Sequence, residues 1–423
     1  MKSYHFLTLL LIFLFTTSCT RTIIEVRKEV VPAPSMVKDV KPVVQENPSL
    51  QQVQPAQQPV IVEKPKSIDQ QVAFDLNKIW ETYFHDDFTD TRSIDLFVAT
   101  NRKLKNGVMG CTDDLVGVEA DTQLKLGVCR INVPKNHTTG EINFTRDNRK
   151  SSHEFFKVVS YKNFAEDKFI ENIKKSKRAP LIFVHGFNVR YQEAVLRATQ
   201  LAYDLKYQGP VILFTWPAGA GDGFLDDKLI NVTYKNNTKT AQDSVVFFKN
   251  FLNLFKKNDI KINMIVHSMG HQVVLPALNA WVKENSQPAA LEKKEDTPED
   301  NSPINELILN APDFESDKFA ELTENLKTIC RRITLYCSYN DNAMAASEMI
   351  NKTKRLGACA LVEGIDSINV SLLQDKGALG HGYYSTRPIL TDVFQVLIGL
   401  DAHKRLFIRK SEPNSTEKYY LRP

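Results

Sequence analysis

From Ile94 to Ala402 the chain alternates short apolar runs with stretches in which apolar residues recur every three or four positions. The runs predict strands over Ile94–Ala99, Leu126–Val133, Phe155–Tyr161, Leu181–Val184, Val211–Thr215, Ile262–Val266, Glu306–Leu309, Arg332–Cys337 and Ser367–Ser371. The periodic stretches predict helices over Tyr191–Tyr207, Lys239–Lys256, His271–Lys283, Asp317–Thr328, Asn342–Asn351 and Pro388–Leu400. In Tyr191–Tyr207, for example, Ala194, Ala198, Leu201, Ala202 and Leu205 line one face. Central strands that are apolar on both faces, each returning through a helix, predict an α/β fold with a mostly parallel sheet covered on both sides. The early strands have few helices between them and suit an antiparallel lead-in. A polar insert at residues 283–303, rich in Glu, Lys, Asp and Pro, interrupts the alternation and reads as a surface loop.

The flanks follow other rules. Lys2, an apolar run from Phe6 to Phe15 and then Thr16-Thr17-Ser18-Cys19 read as an export signal over residues 1–19. A small residue directly before a cysteine resembles a lipobox, which makes Cys19 the lipidation candidate, although Thr16 stands where Leu is usual. Arg21 rather than Asp two places later leans toward the outer membrane if the source is Gram-negative. Residues 20–72 carry seven of the 19 prolines, together with Gln and Val and no periodicity, so they read as a disordered tether. The body then spans 73–405, and 406–423 is a C-terminal tail. A balance of 54 Lys+Arg against 50 Asp+Glu, without a basic stripe, argues against a nucleic-acid partner. Six cysteines without a CxxC pair argue against structural zinc, and no motif calls for a cofactor. Of the five cysteines beyond Cys19, one must stay unpaired within the monomer, and the pairing of the rest is open.

Chemistry gathers at the carboxyl ends of the predicted strands, where open α/β sheets place their sites. The strand Ile262–Val266 runs into His267-Ser268-Met269-Gly270 and then an amphipathic helix. That is the sequence form of a nucleophile elbow, which holds a serine clear of the sheet beside a base and aims the next N–H at a developing oxyanion. Gly270 fits the pattern and Val266 does not, since glycine is usual two places before the serine. Upstream, Leu181–Val184 ends in His185-Gly186-Phe187, where the second oxyanion donor belongs. The expected donors are the main-chain N–H groups of Phe187 and Met269, with His185 bracing the loop. The order nucleophile, acid, base directs the search downstream of Ser268. His381 is the base by elimination, because His271 opens the helix behind the serine and His403 lies in a charged segment. Asp341 is favoured as the acid over Asp313, the loser being a structural carboxylate.

The blocks Phe97-Val98-Ala99-Thr100-Asn101-Arg102, Phe183–Asn188, Tyr207–Pro217, Val266–Gly270, Asn310-Ala311-Pro312-Asp313 and Gly380-His381 together resemble a bacterial family of α/β-hydrolases of undefined substrate. The resemblance covers roughly Ile94 to Leu400 and implies the α/β-hydrolase fold and a serine-hydrolase constellation. The departures are Val266, where that family usually has Ala or Gly, and the long polar insert. The function this predicts is a lipid-anchored cell-envelope esterase acting on a small-molecule or lipid ester. The alternatives are an amidase or peptidase on the same residues, or a non-catalytic envelope protein that keeps the fold. Gly219–Gly223 reads as a loop over the site rather than a phosphate loop, because no Lys-Ser/Thr follows. His267 and His271 lack the Glu of a metalloprotease helix, so no metal site is expected there. Trp216 is either an acyl-pocket wall or a core aromatic.

Overall fold

Leu181–Val184 (β5) and Ile262–His267 (β7) are buried along their whole length, which only a strand covered on both faces allows. The computed structural model describes residues 83–423 apart from 146, 148, 221–229, 286–301, 361 and 374–378. The signal, Cys19, the tether, most of the polar insert and the second half of the Gly219–Gly223 loop therefore lie outside the described residues. Around β5 and β7 the described strands are β1 (Phe84–His85), β2 (Arg92–Leu104), β3 (Val116–Val133), β4 (Lys157–Phe164), β6 (Val211–Thr215), β8 (Ile304–Asn310), β9 (Cys330–Cys337), β10 (Asp366–Asn369), β11 (Ile408–Lys410) and β12 (Tyr419–Leu421). They form one sheet in the order β11-β12-β10-β9-β8-β7-β5-β6-β2-β3-β4, with β1 beside β2. From β12 to β2 every neighbouring pair is parallel, whereas β1, β3, β4 and β11 are antiparallel additions. This is the mostly parallel sheet with an antiparallel lead-in that the hydrophobic pattern predicts.

The helices are α1 (Glu166–Lys174), α2 (Tyr191–Asp204), α3 (Ile230–Lys257), α4 (His271–Asn285), α5 (Ser316–Ile329), α6 (Asn342–Asn351) and α7 (Arg387–Leu397). Because side chains alternate along a strand, each central strand feeds two cores. Ile182, Val184, Met264 and Val266 pack with α1, α3, α4 and α5 on one face. Leu181, Phe183 and Ile265 pack with α2 and α7 on the other, where Ala194, Ala198, Leu201, Ala202 and Leu205 are buried as their spacing requires. Disulfides join Cys111 to Cys129 and Cys337 to Cys359, and among the described residues Cys330 is the free, buried thiol.

Several elements depart from the hydrophobic reading. Helix α1 goes unpredicted because its buried residues, Phe169, Ile170 and Ile173, fill barely more than one turn. Strand β3 begins at Val116 rather than Leu126, since its polar first half pairs with the end of β2 through Arg102↔Ala120 and Leu104↔Val116. Helix α3 starts at Ile230, before the apolar stripe begins. The largest correction concerns residues 406–423. They are not a tail, because β11 and β12 extend the sheet and β12 pairs in parallel with β10 through Ile368↔Tyr419. Ile408 and Leu421 are buried there, and just before them Arg405 is buried against Asp392 at 2.9 Å.

The C-terminal strands therefore contribute to stability. A chain ending at Arg405 exposes β10 and loses two buried aliphatic side chains, worth about 1.5–3 kcal/mol each. Its urea midpoint should fall clearly below that of the full chain. An unchanged midpoint would return 406–423 to the status of a tail.

Candidate functional site

Ser268 has φ 53°, a left-handed conformation that a serine adopts only when its surroundings impose it. Strand β7 ends at His267, the turn Ser268–Gly270 follows, and α4 opens at His271 without a connecting loop. Two glycines make the sharp turn fit. A Cβ on Gly270 would stand 2.5 Å from the carbonyl oxygen of His185, and one on Gly186 would stand 2.7 Å from Ser268 Cβ. The close approach that glycine two places before the serine would otherwise serve is thus achieved from the neighbouring strand. Val266 is free to be a core residue, wholly buried on the α4 side. His271 Nδ1 lies 2.7 Å from the Ser268 carbonyl and donates to it, fastening the elbow from behind.

Asp341 and His381 come from separate loops at the same carboxyl edge of the sheet. Asp341 caps α6, its Oδ1 accepting from Met344 N–H at 3.1 Å, and its Oδ2 accepts from His381 Nδ1 at 2.7 Å. Two further ties hold the loops together. Asn342 N–H donates to Leu379 O at 2.9 Å, and Gly380, at φ 62°, lies so close that a Cβ there would stand 2.6 Å from Asn340 O. The Cys337–Cys359 disulfide fixes the end of β9 from which the Asp341 loop departs. The Asp341 carboxylate is fully shielded, whereas 18 % of the His381 side chain remains exposed. Nδ1 of His381 is thus committed to Asp341, and Nε2 is the ring nitrogen outside that bond.

Asp313 belongs to a different network. It accepts from Ser347 Oγ at 2.6 Å and Tyr234 OH at 2.9 Å, and Arg355 Nε lies 3.3 Å away. These partners tie the end of β8 to α3 and α6, and Asp313 has no hydrogen bond to His381 among the described residues. His403 is exposed on the turn after α7. Met269 is buried beside the serine and Phe187 is half-buried directly after Gly186, so both peptides flank the elbow.

The loop behind Phe187 is braced as a histidine there suggests. His185 Nδ1 donates to Gly186 O at 3.0 Å and Nε2 accepts from Thr215 Oγ1 at 2.8 Å. Its ring stacks on Trp216 at 5.4 Å, and Trp216 Nε1 donates to His185 O at 3.0 Å, so Trp216 is a core aromatic and not a pocket wall. One residue has a role here that the hydrophobic and motif reading does not assign. Arg102, at the buried end of β2, donates to Thr215 Oγ1, Ala218 O and Val189 O at 2.8–2.9 Å, joining the loops after β5 and β6. In the sequence it shows only as the last residue of the Phe97–Arg102 block, a cation after an apolar run. Gly219 and Ala220, the described start of the loop read as lying over the site, are tied down. Asn237 Oδ1 accepts from Gly219 N–H at 3.1 Å and Asn188 Oδ1 from Ala220 N–H at 2.7 Å.

A family model described as an alpha/beta hydrolase of unknown function, DUF900, matches residues 162–400, more than half of the chain. No curated protein matches the chain.

Burial holds His185 and His271 down to about 3, and His267 well below the usual histidine value. For a base depressed on folding, stability is complete above the unfolded value of about 6.5 and falls as pH drops toward the folded one. Each such histidine steepens the acid loss by up to about 1.4 kcal/mol per pH unit. Urea midpoints measured between pH 6 and pH 4 should therefore fall less steeply for His271→Gln than for the wild type. Parallel slopes would contradict the buried neutral imidazole.

Proposed function

We propose, on the premise that the chain belongs to this family of alpha/beta hydrolases of unknown function, that it is a serine hydrolase cleaving carboxylic esters. Ser268 is the nucleophile, His381 the general base and acid, and Asp341 the carboxylate that orients the imidazole. The observation that carries the reading is the 2.7 Å bond from His381 Nδ1 to Asp341 Oδ2, made at the same sheet edge as a serine in a strained elbow.

Ser268 Oγ attacks the ester carbonyl carbon while its proton passes to His381 Nε2, and Asp341 stabilises the imidazolium that results. The carbonyl oxygen becomes an oxyanion, received by the N–H groups of Phe187 and Met269. The tetrahedral intermediate collapses, and the leaving alkoxide takes the proton back from Nε2. Water then repeats the sequence against the acyl-enzyme, with His381 again as base, and releases the acid. An alkoxide leaves more readily than an amine anion, which favours esters over amides on the same residues.

For location we propose an envelope enzyme, lipid-anchored at Cys19 and spaced from the membrane by residues 20–72. The disulfides Cys111–Cys129 and Cys337–Cys359 support this, since such bonds persist outside reducing compartments. The small residues before Cys19 support the anchor. Cys19→Ser should lose incorporation of labelled palmitate, and retention of the label in that variant would place the lipid elsewhere.

The catalytic reading is tested with p-nitrophenyl butyrate. Ser268→Ala should abolish turnover with its melting temperature preserved. Asp341→Asn should lower kcat by about 10²–10⁴-fold, because only an ionised acceptor holds the productive tautomer. Asp313→Asn, which weakens a buried network, should lower the melting temperature and leave kcat within about tenfold. The reverse ranking of the two asparagine variants would move the acid role to Asp313.

A further inference from the structure

The residue just before the nucleophile touches the loop that carries the base. His267 closes β7, so the strand that fixes Ser268 also fixes its ring. That ring stacks on Tyr384, with centroids 3.8 Å apart and planes 29° from parallel. It also lies against the ring of His381, with centroids 4.9 Å apart, and reaches the His381 main chain by a hydrogen bond. On Tyr384 sits a second weight, the Arg197 guanidinium of α2 at 5.8 Å from the ring centroid. Gly186 makes room for the arrangement, because a Cβ there would stand 3.1 Å from His267 Nδ1.

We infer that His267 is a positioning residue for the base: its ring is the platform that seats the His381–Tyr384 segment at a fixed distance from Ser268. This rests on the reading of His381 as the base. The Asp341 bond, the Asn342–Leu379 hydrogen bond and the bond from Tyr383 OH to Tyr336 O all tie the segment to β9 and the loop that follows it. The stack on His267 adds the attachment to β7. Because His267 and Ser268 are consecutive, it references the base to the nucleophile rather than to the acid. A platform in this place must be flat, buried and uncharged, since a second cation would oppose the imidazolium that forms on His381. Desolvation, and next the neighbouring His381, hold His267 in its neutral form well below the usual histidine range.

The experiment uses the full chain and three variants, His267→Phe, His267→Ala and Tyr384→Leu, with p-nitrophenyl butyrate as substrate and the rate of fluorophosphonate labelling as a second readout. Tyr384→Leu removes the stack without touching the elbow. It should lower kcat and the labelling rate by about tenfold or more, with KM within about twofold. His267→Ala should do the same, and His267→Phe, which keeps a flat ring, should recover most of that loss. If His267→Ala does not fold, Tyr384→Leu and His267→Phe decide alone. Wild-type kcat in Tyr384→Leu, a loss confined to KM or melting temperature, or a Phe variant no faster than Tyr384→Leu would each overturn the inference. His381→Ala separates the two levels. If it labels at the wild-type rate, the base assignment falls and this inference with it. If it is inert while Tyr384→Leu labels normally, only the platform falls.

Discussion

A serine held at φ 53° between a strand and a helix is a local conformation that the chain does not choose by itself. It persists because β7 and β5 are paired in register, Val184 beside Val266, so that the loop after one strand presses on the turn after the other. At that contact the two backbone segments are closer than side chains permit, and Gly186 and Gly270 are the residues that let them meet. The pairing in turn depends on both strands being apolar on both faces, with one core on the α4 side and another on the α2 side. Sheet register, double-sided burial and backbone strain are thus one constraint seen at three scales. Its product is a serine held in a strained turn at the carboxyl edge of the sheet.

The other half of the site is built differently. Asp341 and His381 sit on loops, where position has to be enforced by specific bonds rather than by a ladder. The cap of α6, the Asn342–Leu379 hydrogen bond, the close approach at Gly380 and the Cys337–Cys359 disulfide all act on this pair of loops. Behind the elbow the bracing is polar and buried: Arg102, Thr215 and His185 hold the loops after β5 and β6 to one another. Such a network is costly to bury and is stable only when its members are satisfied. His185 meets that condition as a neutral ring that donates through one nitrogen and accepts through the other.

What the sequence made legible were the features governed by local chemistry. Helix α2 and strands β5 and β7 declare themselves by spacing and by unbroken apolar character. Ser268 stands out by its strand-to-helix setting, and chain order leads to His381 while leaving Asp341 and Asp313 both open as its partner; only the folded chain shows that Asp341 bonds it. The features it concealed are those that long-range pairing creates. Strands β11 and β12 are three residues each, with sequences Ile-Arg-Lys and Tyr-Tyr-Leu that carry no period, and they are strands only because β10 offers an edge. The polar first half of β3 is a strand only because β2 runs beside it. Arg102 reaches Val189 and Ala218 across 87 and 116 residues, and His267 meets Tyr384 only once β7 and the loop before α7 are folded together. No spacing rule within a window of twenty residues could reveal such contacts.

The central claim is that the strained elbow delivers an activated serine. The direct measurement is to label the wild-type chain with a fluorophosphonate at neutral pH, digest it, and locate the adduct by mass spectrometry. The account predicts one stoichiometric adduct, on Ser268, formed slowly or not at all once the protein is unfolded in urea. An adduct on any other residue, or a folded chain that takes up no label, would contradict it.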